Sequence, residues 1–125
     1  MPRALALAFA ILVAAASARA ETPGPAPRPA DELFWLDYRF GVAIECGLVD
    51  DRALLGYLCA ARAAAIRYGF DEPQRRKILS RAMIAVEREW SNRGLGGYRN
   101  WCRNEGMEAQ RLFQGFACQA DSQPP

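Results

Sequence analysis

Tyr38-Arg39-Phe40-Gly41-Val42-Ala43-Ile44-Glu45-Cys46-Gly47-Leu48 is the stretch on which the fold class turns. Tyr38, Phe40, Val42, Ile44, Cys46 and Leu48 alternate with Arg39, Gly41, Ala43, Glu45 and Gly47, which is the period of a strand. Read together with the residues before it, the same stretch has a second period. Leu33, Leu36, Phe40, Ala43 and Ile44 recur at helical spacing. No other segment of the chain is strand-like, and a lone strand would leave its backbone N–H and C=O groups unpaired. Residues 38–48 are therefore expected to be helical, with Asp31 as N-cap and Glu32 near the positive end of the helix dipole.

The remaining segments are helical by their own signals. Asp50 can cap a second helix, with Val49 and Leu54 at the two positions of a hydrophobic staple. Alanine-rich sequence continues to Ile66, and Gly69 followed by Phe70 marks a left-handed C-terminus. Asp71 and Gln74 then form a capping-box variant, with Pro73 in the first turn. A third helix is expected from about Glu72 to Asn92, its apolar stripe made of Ile78, Leu79, Ala82, Met83, Val86 and Trp90. Gly94 should stop it and Leu95-Gly96-Gly97 should form a flexible turn. From Tyr98 to Cys118 the pattern is again helical, anchored by Trp101, Met107, Leu112, Phe113 and Phe116, with Gly106 placed to break it in two. The fold class is all-α: a small disulfide-stapled bundle of four or five helices.

Cys46, Cys59, Cys102 and Cys118 are even in number, and none has Cys-x-x-Cys spacing, so two structural disulfides are expected rather than a metal or redox pair. Four cysteines allow three pairings, and bridged Cα atoms lie about 4.4–6.8 Å apart. Cys102 and Cys118 would be about 24 Å apart on one unbroken helix. A reversal at Gly106 would bring Cys59 to Cys102 and Cys46 to Cys118, the pairing favoured at this level.

Toward the N-terminus, Met1-Pro2-Arg3 precedes an apolar run, Ala4 to Ala16, and Ala18-Arg19-Ala20 has the small-x-small form cut by signal peptidase. The run is shorter than the ~20 residues that span a bilayer, which disfavours an uncleaved anchor. Residues 1–20 read as a cleavable signal peptide and the protein as periplasmic, with no membrane span after cleavage. Residues 21–30 read as a proline-rich flexible spacer, 31–120 as a single helical domain and 121–125 as a disordered tail. Losing Arg3 and Arg19 leaves 14 basic and 14 acidic side chains. A neutral domain lacks the clustered basic surface that nucleic acid requires, so no nucleic-acid partner is expected.

The chain has no histidine. That excludes Ser-His and Cys-His catalysis and histidine-containing metal sites. No EF-hand spacing exists either, and neither a metal nor a cofactor is expected. Three acidic pairs, Asp31-Glu32, Asp50-Asp51 and Asp71-Glu72, begin helices and are explained by capping, while Glu87 and Glu89 point to different sides of theirs. Arg75-Arg76-Lys77 with Arg81 reads as a solvated face. The best binding candidate is Trp90, Arg93, Tyr98, Arg99, Asn100, Trp101 and Arg103, where aromatics, guanidiniums and an amide flank a glycine-bearing turn.

In layout the chain is similar to small exported helical proteins of Gram-negative bacteria, such as acid-stress chaperones and periplasmic immunity proteins. The likeness is architectural and carries no residues across. The expected function is that of a non-enzymatic binding or accessory protein contacting another envelope protein. The alternative is an envelope-glycan binder, or a carboxylate-based glycan hydrolase, using the 90–103 segment.

Overall fold

Residues 38–45, where the two periods compete, are helical. The computed structural model describes residues 28–118 and contains α1 (Pro29–Glu45), α2 (Asp51–Tyr68), α3 (Glu72–Trp101), a π-helical turn (Cys102–Gly106) and α4 (Met107–Gln114). Among these residues there is no strand. The chain is a small disulfide-stapled all-α bundle. Residues 1–20, read above as a signal peptide, residues 21–27 of the expected spacer, and residues 119–125, which include the expected tail, lie outside the described residues.

α1 begins three residues earlier than expected. Arg28, not Asp31, occupies the N-cap, and Pro29 takes the first-turn position that suits its fixed φ. Asp31 lies inside the first turn and accepts from Arg28 Nε at 3.0 Å. Pro29 and Ala30 thus belong to the helix and not to the spacer. The caps of α2 and α3 form as read: Asp50 accepts from the Ala53 N–H at 2.7 Å, and Asp71 and Gln74 make a reciprocal capping box.

Two glycines behave differently from expectation. Gly94 adopts φ 65°, ψ −176°, a region open essentially to glycine alone, and kinks the backbone. No flexible turn follows; residues 95–101 resume helix at once. Gly106 does not reverse the chain. It closes the π-turn and lies against α1, where an added Cβ would sit 2.9 Å from Cys46 Sγ and 3.2 Å from Leu48 Cδ1. The helical rod therefore continues from 95 to 114.

That continuity corrects the disulfides. Cys46 pairs with Cys102 and Cys59 with Cys118, at Cα separations of 5.3 and 5.2 Å. With no reversal at Gly106, Cys102 meets the end of α1, and α4 carries Cys118 onward to α2. Each bridge ties residues more than fifty positions apart, a separation worth about 2–4 kcal/mol through the unfolded chain.

The core has two parts. Leu33, Phe40, Tyr57, Ile78 and Phe113 form the larger with Ala53, Ala61 and Ala64; Val42, Val86 and Trp101 form the smaller. Close helix approach at Gly41 and Gly56 permits both. A Cβ at Gly41 would lie 2.8 Å from Val86 Cγ2, and one at Gly56 would fall 2.7 Å from the Phe113 carbonyl carbon. Several residues expected inside are exposed, namely Ile44, Leu79, Met107, Leu112 and Phe116. The small faces of α1 and α2 draw the helices together without room for them.

Candidate functional site

The smaller cluster borders a groove of about 520 Å³ between α1, α3, the π-turn and α4. α1 contributes Trp35, Tyr38, Arg39 and Val42, one turn apart or less, so they share a face. Glu89 and Arg93 come from α3, one turn apart, and Glu105 from the π-turn. Glu108, Ala109 and Leu112 complete it from α4. The floor is apolar and aromatic; the rim is charged.

Behind the groove, Trp101 is only 2 % exposed. Its indole N–H donates to Glu105 Oε2 at 2.6 Å. The Arg93 guanidinium lies 5.2 Å from the Trp101 ring centre, a cation–π distance. One of its terminal nitrogens donates to Glu89 Oε2 at 3.1 Å and lies 4.0 Å from Glu105 Oε1. Trp101, Glu105, Arg93 and Glu89 thus form a chain from the core to the rim, hydrogen-bonded at its two ends and joined in the middle by the looser Arg93–Glu105 charge contact. Arg93 Nε is buried and has no hydrogen-bond partner among the described residues. Burial first, then the negative charges of Glu105 and Glu89, raise the Tyr38 phenol above its ordinary value, against an opposing pull from Arg93. Tyr38 therefore stays a neutral donor well into the alkaline range.

Of the residues singled out from sequence, Arg93 lines the groove and Trp101 backs it. Trp90 and Tyr98 are half-buried and pack beside Trp101, with ring centres 5.1 Å apart and Trp90 6.1 Å from Trp101. Arg99, Asn100 and Arg103 are exposed and do not line it. Trp101 offers no open face for stacking a ligand. Trp35 does: it is half exposed and stands edge-on to Tyr38 at 5.3 Å.

Sequence reasoning missed Trp35, Arg39, Glu105 and Glu108, because their meeting depends on how the helices dock. It also missed Asp37, which is 3 % exposed and accepts from Tyr57 Oη at 2.8 Å. A signal for Asp37 did exist. It follows Leu33 by four residues and precedes Phe40 by three, so a carboxylate sits on the buried stripe of α1. Among the described residues no cluster of three or more metal-ligating side chains forms, and no helix is long and apolar enough to cross a membrane. Compared with known proteins, the chain matches no family model, no curated protein and no solved structure.

Proposed function

We propose that this is an exported, periplasmic, non-enzymatic binding or accessory protein of the inhibitor, immunity, chaperone or envelope-assembly type, and that its groove receives a polypeptide segment of an envelope partner. The observation that carries the reading is the rim above the apolar floor. Arg93 is committed to Glu89 and Glu105, and Glu105 also to Trp101. Groups held in this way give a preorganised surface, which lowers the cost of recognising a partner. Three carboxylates face two guanidiniums, so the occupant is an apolar segment bearing a basic residue.

Selection of random displayed peptides on the oxidised protein tests this. Aliphatic side chains flanked by Lys or Arg should be enriched, and Leu112→Glu should abolish the selection while leaving the helical circular dichroism intact. Enrichment that survives Leu112→Glu would place the binding surface elsewhere. The envelope-glycan alternative rests on one observation, the exposed Trp35 ring beside Tyr38. Tryptophan quenching by peptidoglycan fragments, lost in Trp35→Ala, would favour it over the peptide reading.

A further inference from the structure

α2 is built inside out. Its buried face carries small residues such as Ala53, Gly56, Ala60 and Ala64, whereas Leu54, Leu55, Leu58 and Ile66 are 41, 59, 53 and 62 % exposed. Large aliphatic side chains would ordinarily face the core of a bundle and small ones could stand outside. Here the small residues let α2 approach α4, and the large ones form a continuous outward strip that the other described residues leave uncovered.

The middle of that strip has an internal symmetry. Asp51, Leu55, Leu58 and Arg62 follow one another at spacings of four, three and four, within about 60° of the helix circumference. The series is symmetric about the point midway between Leu55 and Leu58, except that its two ends carry opposite charge. An antiparallel copy related by a two-fold axis at that point would set Leu55 on Leu58 of its mate twice. It would also set Asp51 against Arg62 twice. Self-complementarity of this kind is what a closed two-fold interface requires. Antiparallel helix dipoles reinforce it. Among the described residues neither Asp51 nor Arg62 has an ion-pair partner within its own chain, so both charges are available.

We infer that the outer face of α2 is a homodimer interface, in which two copies pack antiparallel through Leu55 and Leu58 between paired Asp51–Arg62 contacts. No α2 residue lines the groove, so both grooves stay open in the dimer. One helix pair gives an interface at the small end of the specific range, with dissociation expected at about 1–100 µM.

Sedimentation of the secreted, oxidised protein over that concentration range tests the inference, with far-UV circular dichroism confirming that each variant is folded. The mass should rise from one chain to two. Leu55→Glu should leave one chain throughout. Asp51→Arg and Arg62→Asp should each weaken association about tenfold, since every dimer loses two pairs and gains two repulsions. The double variant D51R/R62D should recover it, as expected if position 51 faces position 62 of the mate. The wild-type dimer should also weaken as salt is raised. A single-chain mass at all concentrations, a dimer indifferent to Leu55→Glu or to salt, or a folded double variant without recovery would each overturn it.

Discussion

Asp37 and Glu105 each accept a hydrogen bond from an aromatic side chain, Tyr57 Oη at 2.8 Å and Trp101 Nε1 at 2.6 Å, yet one pair is sealed and the other is not. Around Asp37, Tyr57 stacks on Phe40 at 3.7 Å, and Phe113 closes both rings edge-on. Around Glu105, only the indole is buried; the carboxylate is half exposed and shares Arg93 with Glu89. The same donor–acceptor chemistry therefore serves two ends. In the closed cluster it satisfies a buried group and holds the fold. At the groove it carries rigidity from the core to a charged rim that a partner can read.

Breaking the closed cluster should have the largest consequence. Gly56→Ala drives a methyl group into the Phe113 backbone, which no rotamer change relieves. A loss of about 4 kcal/mol or more is expected in urea unfolding, enough to leave much of the chain unfolded. Removing the bridge that fastens the groove end, with Cys46→Ser and Cys102→Ser together, should cost about 2–4 kcal/mol and weaken the near-UV tryptophan signal.

The two hydrogen bonds can be compared directly. Tyr57→Phe strands a buried carboxylate and should cost about 1–3 kcal/mol. Glu105→Gln keeps an acceptor for Trp101 at a half-exposed position and should change stability by less than about 0.5 kcal/mol. Its charge on Arg93 is lost, however, so its effect should fall on peptide binding. Equal destabilisation by both variants would erase the distinction between the sites.

Acid titration sharpens the comparison further. Burial pushes the Asp37 carboxyl above its ordinary value, although the Tyr57 hydrogen bond and the Arg75 charge oppose the shift. The ionised form is thus worse off folded than unfolded. Asp37 contributes stability fully below the unfolded carboxylate value of about 3.9, and that contribution is lost as pH rises through its higher folded value. Asp37→Asn should then be the more stable protein at neutral pH and lose its advantage toward about pH 4. Asp50 works in the opposite sense. The Ala53 N–H and then Gln114 hold its carboxyl below the ordinary value, so its contribution is present at neutral pH and fades on strong acidification.

Much of this fold is legible in the sequence because helix signals are local. Asp50, Gly69 and the Asp71–Gln74 box each act within one turn, and each forms as read. The disulfide partners are not legible there, for a nonlocal reason. They depend on whether the rod passes through Gly106, and that is decided by its packing on Cys46 and Leu48 more than forty positions away. Gly41 and Gly56 matter through neighbours on other helices, which a single-helix pattern does not contain. The candidate site was legible in part. Arg93 and Trp101 belong to it, but the acidic rim and Trp35 come from helices that meet only in the folded chain.

Amide hydrogen exchange of the oxidised protein, with and without a short peptide alternating leucine and lysine, tests the central claim most directly. Slower exchange confined to residues 35–42, 89–93 and 105–112, with the segments around Tyr57 unchanged, is the result expected of a preformed groove that recognises apolar, basic polypeptide. No protection at saturating peptide, or protection lying on the outer face of α2 instead, would contradict it.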